Sequence, residues 1–188
     1  MINKEEINKL KDKINQLEKK NIDLIITDFD DTIFSRNEQL EDCKLLRENR
    51  WNAWNNIILK VLWLENYWKK YYKNKTIPKT IVSKLRKWHD LILTAWDQEL
   101  QNCKLKNIWL DKHNYIVVKL PEDKIIKTIE YITDTLWFLP KKVTVYEDRP
   151  KYFIEHKDFL ENILNIPFDI MYVEMNDNYS EPKISKIK

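Results

Sequence analysis

Five short apolar runs rich in β-branched residues, each separated from the next by a longer stretch of helical character, leave this chain few ways to fold. They fall at 23–28, 90–94, 114–118, 143–146 and 169–173, with Leu24-Ile-Ile-Thr27 and Leu91-Ile-Leu-Thr94 the clearest. Apolar runs without polar alternation fit strands buried on both faces, and their alternation with helices is that of a parallel sheet between two helical layers. The expected fold is therefore α/β, a three-layer parallel-sheet core. Helices are expected at 78–87, 98–107, 122–136 and 153–164, and at 4–20, where Ile7, Leu10, Ile14 and Leu17 form a stripe that packs on the domain. The division is an N-terminal helix (1–21), a core (22–37 and 76–176), a helix-rich insertion (38–75) and a polar tail (177–188) expected to be disordered.

The strand ends carry the chemistry. The first strand runs into Asp28 and Asp30, which a regular strand points the same way. Two converging carboxylates repel unless a cation or a shared proton intervenes, and this suggests a divalent-metal phosphate site. The fourth strand ends in Glu147-Asp148, the second in Thr94, and Lys119 and Lys124 follow the third. In a parallel sheet these ends share one edge and can meet at one cleft. Hard oxygen ligands without clustered histidines favour Mg²⁺ over zinc. His89, His113 and His156 are scattered and read as surface or core residues. Cys43 and Cys103 have no metal-ligand spacing and read as reduced thiols of a cytosolic protein. A net charge of +3 with both signs interspersed permits an anionic substrate without indicating nucleic acid. No apolar stretch approaches the ~20 residues of a membrane span and no signal peptide is visible, so a cytoplasmic protein without a membrane partner is expected. The run Tyr67-Trp-Lys-Lys-Tyr-Tyr-Lys73 reads as amphipathic packing with exposed lysines, or as a platform for stacked bases.

The chain contains no glycine and eight tryptophans, where ordinary usage of about 7% would give about 13 glycines. Trp88, Trp96, Trp109 and Trp137 stand where the pattern wants a turn residue: around the second strand and at two expected helix C-termini. Glycine normally supplies φ > 0 at such positions. An AT-rich genome, visible in the excess of Lys, Asn and Ile, depletes glycine codons but does not put tryptophan at turns. A gene in which UGA specifies glycine, rendered with tryptophan at that codon, accounts for both.

The apolar strand with Asp28-x-Asp30-x-Thr32, then Thr94, a lysine, and Glu147-Asp148, resembles in order the four motifs of the haloacid dehalogenase (HAD) phosphohydrolase superfamily. The segment Val145-Tyr-Glu-Asp-Arg-Pro-Lys-Tyr-Phe153 further resembles the HAD-like domain of the Swiss Army Knife RNA-repair group. With glycine at 88 and 96, the segment around Thr94 would come closer to the second motif. The resemblance implies a Rossmann-like core with 38–75 as a small helical cap, where Arg47, Arg50, Asn52 and Asn55 are candidate substrate contacts. It implies a phosphomonoester hydrolase working through an aspartyl-phosphate: Asp28 as nucleophile, Asp30 as general acid and base, Thr94 on a phosphoryl oxygen, Lys124 or Lys119 neutralising charge. Mg²⁺ would sit on Asp28, the Asp30 backbone carbonyl, Asp148 and Glu147. The substrate would be a phosphorylated small molecule or a nucleic-acid end. A non-catalytic HAD-like binding or assembly module is the alternative, in which Trp96 beside Thr94 obstructs the phosphate pocket.

Overall fold

A computed structural model describes residues 4–34, 79–174 and 181–187 of the chain. The insertion at 38–75, with Arg47, Arg50, Asn52, Asn55, Cys43 and the Tyr67–Lys73 run, lies outside the described residues. Each apolar run is a strand: β2 (Asp23–Thr27), β3 (Leu91–Ala95), β4 (Asn114–Val118), β6 (Lys142–Glu147) and β7 (Phe168–Glu174). With an edge strand β8 (Lys183–Lys186) they form a six-stranded sheet in the order β4-β3-β2-β6-β7-β8, parallel except for the β7–β8 pair. The chain winds outward from β2 through β3 to β4, then returns to the other side of β2 with β6. This α/β sheet is compatible with a Rossmann-like fold, and its direction reverses between β2 and β6, where open α/β sheets open a crevice.

Side-chain alternation divides the core in two. Leu24, Ile26, Leu91, Leu93, Val143 and Val145 face one layer, which also buries Ile125 and Ile129 of α4 (Asp123–Glu130) and Leu160 and Ile163 of α6 (Lys157–Leu164). Ile25, Ile92 and Tyr146 face the other, with Ile81 of α2 (Lys79–Val82) and Leu100 and Leu105 of α3 (Gln98–Asn107). Ile14 of α1 (Lys4–Asn15) is buried against the first layer, with Leu10 and Leu17 partly covered. Among the described residues no helix is long and apolar enough to cross a membrane.

Four expectations are corrected, the first being that the helix expected at 78–87 is only the single turn Lys79–Val82. The first helix ends at Asn15, because Glu18–Lys19 (β1) instead pairs with Phe138–Leu139 (β5) as a small parallel ladder. The helix expected at 153–164 is two, α5 (Lys151–Glu155) and α6, broken at His156. Part of the tail is ordered, since β8 pairs with β7 and packs Ile184 and Ile187 onto the two cores. It thereby covers a sheet edge that would otherwise present unpaired backbone groups.

One buried carboxylate ties the first two strands of the winding together. β3 begins too late to pair with Ile25, and Asp90 accepts that N–H at 2.8 Å. It also accepts the Arg86 N–H at 2.7 Å and its guanidinium Nε–H at 3.0 Å. Asp90→Ala takes the acceptor from the Ile25 and Arg86 backbone N–H groups, while the half-exposed Arg86 guanidinium keeps water and the Asp23 carbonyl. The substitution should lower stability by about 3 kcal/mol, read as a shift of the urea midpoint at unchanged m-value; a loss within a few tenths of the parent would show that the cluster is solvated instead.

Candidate functional site

The site is built by strand register. β2 and β6 pair from Asp23↔Lys142 to Thr27↔Tyr146, and the ladder continues one step as the Asp28 N–H donates to the Tyr146 carbonyl at 2.8 Å. Asp28 and Glu147 are thus delivered side by side at the reversal point of the sheet, both buried. Beyond Asp28 the chain folds back in a tight loop. The N–H groups of Ile33 and Phe34 both donate to the Phe29 carbonyl, and the Phe29 and Phe34 rings stack at 5.0 Å. Thr32 locks this loop to the next strand end, its Oγ1 accepting the Asp148 N–H at 3.1 Å.

Asp28, Asp30, Thr94, Lys119, Lys124, Glu147 and Asp148 all line one cleft of about 360 Å³, along with Trp96 and Arg149. Lys124, in the first turn of α4, is buried with its Nζ 2.8 Å from Asp28 Oδ1 and 2.7 Å from Glu147 Oε2. Lys119 also lines the cleft but is exposed, so the geometry favours Lys124 for the expected cation. Asp28, Glu147 and Asp148 each offer a carboxylate oxygen, all within 4.8 Å of one another. None of the three histidines belongs to that cluster.

Asp30 stands apart from the acidic cluster. Its carboxylate accepts from Lys104 Nζ at 2.7 and 3.0 Å and from Gln101 Nε2 at 2.7 Å. This ion pair with a buried lysine is a different setting from the shared negative charge with Asp28 that the sequence suggested. Gln101 also donates to Thr94 Oγ1 at 2.9 Å; with its acceptor side engaged, the Thr94 hydroxyl keeps its proton for a group in the cleft.

Lys104 and Gln101 were not identified from the sequence. The available signal was a lysine and a glutamine sharing the buried stripe of α3 with Leu100 and Leu105. Lys104 is buried beneath the Trp96 ring, 5.0 Å from its centroid.

The charges do not balance locally. Burial raises the Glu147 carboxyl well above its usual range, with repulsion from Asp28 adding to it and Lys124 opposing. Burial and the same repulsion push Asp148 up to about 7. For Lys124, burial disfavours the ammonium but the charges of Asp28 and Glu147 prevail, and its pKa is raised. An all-oxygen donor set carrying surplus negative charge suits a hard divalent cation.

Against protein-family models, curated proteins and solved structures the chain finds no match.

The raised carboxyls have a consequence for stability. Between the ordinary aspartate range near 4 and the folded value of about 7, the folded protein binds more protons than the unfolded chain, so stability falls as pH rises through that window. In EDTA-treated protein the urea midpoint should drop from pH 5 to pH 8, and Asp148→Asn should flatten the drop. A midpoint that rises over that range, or a drop unchanged by Asp148→Asn, would mean the cluster is not strained by its own charge.

Proposed function

We propose that the protein is a Mg²⁺-dependent phosphomonoester hydrolase of HAD type, acting through an aspartyl-phosphate on Asp28. The observation that carries the reading is Asp28 itself: a buried carboxylate at the reversal point of the sheet, held by Lys124, beside Glu147 and Asp148, with a cleft in front of it. Asp28, Asp148, Glu147 and the Asp30 backbone carbonyl would hold Mg²⁺, which supplies charge neutralisation for the phosphoryl oxygens.

The chain's own groups do the rest. A carboxylate oxygen of Asp28 attacks phosphorus as the bond to the ester oxygen breaks. Lys124 balances negative charge on the transferring group, and the Thr94 hydroxyl donates to one of its oxygens. Asp30 gives its proton to the departing alkoxide, then takes one from the water that releases phosphate and regenerates Asp28. Lys104 and Gln101 keep the Asp30 carboxylate in place for that transfer.

A binding or assembly module on the same fold is the second reading, favoured by one observation: Trp96 lines the cleft beside Thr94. The two separate on turnover. With an aryl phosphate, hydrolysis should require Mg²⁺ and fall about a thousandfold or more in Asp28→Asn, while Gln101→Ala should lower kcat more than it raises KM. Hydrolysis that survives Asp28→Asn would overturn the aspartyl-phosphate. A folded protein inactive on aryl, nucleotide and RNA-end phosphates alike would leave the binding module.

A further inference from the structure

Left-handed backbone is open to glycine, tolerated by Asn and Asp, and strongly disfavoured for a bulky side chain. Five described residues have positive φ: Asp31, Trp96, Trp109, Trp137 and Asn165, at 59°, 153°, 63°, 59° and 52°. Asp31 and Asn165 need no special account. The remainder are three of the four tryptophans the structure describes, whereas non-glycine residues occupy this region only about a few per cent of the time.

The local geometry says what each position wants. Trp109 sits just past the end of α3, where its N–H donates to the Lys106 carbonyl at 3.2 Å and the Leu110 N–H donates to the Leu105 carbonyl at 3.0 Å. That paired closure is the Schellman motif, whose left-handed residue is most often glycine. Trp137, at φ 59° and ψ 23°, ends the wider π turn (Tyr131–Leu136) that continues α4. Trp96 turns the chain out of β3 into α3, its N–H donating to the Val118 carbonyl at 2.9 Å.

Trp96 is half-buried against the second core, but at the other two positions the side chains do not compensate. Trp109 and Trp137 are 76% and 70% exposed, so most of each indole gains nothing from burial. Backbone that asks for no Cβ and large apolar side chains left in water coincide at the same residues, in a chain without one glycine.

We propose that positions 96, 109 and 137 are glycine in the native protein, specified by UGA codons that the source organism reads as glycine. Trp88 shares the exposure, at 84%, but not the left-handed backbone, and the inference does not rest on it. At position 96 the consequence reaches the cleft. Glycine there removes an indole from the lining beside Thr94 and uncovers the buried Lys104 ammonium, so this position sets how much of the Thr94–Lys104 wall a ligand can reach. Backbone, exposure and composition point to glycine whether or not the cleft hydrolyses phosphate.

Tandem mass spectrometry of the protein purified from its source cells decides the matter. The tryptic peptides Trp88–Lys104, Asn107–Lys112 and Thr128–Lys141 carry the three positions. Each should be found with glycine at 96, 109 or 137, and tryptophan there overturns the proposal. The backbone basis is checked on recombinant chains carrying Trp109→Gly and Trp137→Gly against Trp109→Ala and Trp137→Ala. Where φ is left-handed the glycine pair should have the higher urea midpoint, the reverse of their order inside an ordinary helix. An alanine pair at or above the glycine pair removes the structural ground for the inference.

Discussion

The Lys124 ammonium stands between two carboxylates that backbone pairing forces together. The parallel register of β2 and β6 leaves no freedom in where Asp28 and Glu147 emerge. At about 4 Å apart two such charges interact by roughly 4 kcal/mol at an effective dielectric of 20. With Lys124 at 2.8 and 2.7 Å from the two, repulsion becomes a bridged pair, and α4 must start where its first turn can deliver that lysine. Asp148 adds a third negative charge that Lys124 cannot also cancel, and Arg149, 3.3 Å away but more than half exposed, is a weak substitute. The fold thus gathers like charge at the sheet edge that faces the cleft. A dianionic ligand alone would worsen that repulsion, while a divalent cation would relieve it, so the two are expected to bind together.

A second pairing sets the other wall of the cleft. Gln101 spans Asp30 and Thr94 with one amide nitrogen, and Lys104 supplies charge from below. Both come from α3, so the relation of Thr94 to Asp30 depends on how α3 packs, and α3 is anchored by Leu100 and Leu105 in the second core. A change in that packing would move the hydroxyl and the carboxylate together. The cleft therefore has one wall tuned through α4 and another through α3, with Asp28, Asp30 and Asp31 of the loop after β2 lying along it.

What could be read from the residues follows from how far apart the determining interactions lie. Strand β4 and helix α3 fall where the pattern put them, because a continuous apolar run and its polar boundaries are local signals. The convergence of Asp28, Thr94, Lys124, Glu147 and Asp148 was legible for a different reason: parallel topology brings strand ends to one edge whatever the loops do. β1 and β5 are too short to show any period, and β8 is a polar edge strand recognisable only by its partner. Lys104 and Gln101 were hidden because α3 is polar overall, and a buried lysine looks like a solvated one until its carboxylate arrives from 74 residues away in sequence.

Backbone strain separates the site from the rest of the molecule. Strained dihedrals cluster where function over-determines the backbone, and Asp31, in the loop between the two stacked phenyls and lining the cleft, fits that rule. Trp109 and Trp137 do not line the cleft. Natural sequences keep local preference and global fold in agreement except where function demands otherwise. Here hydrophobic period, strand register, the Asp97 side-chain cap on α3 and the Asn165 left-handed cap after α6 all agree with the fold. Among the described residues the positive-φ positions that do not suit their side chains are all tryptophan. A sequence that was poor for its fold would set many residue types against the backbone at once, and here the described conflict with left-handed backbone falls on tryptophan alone.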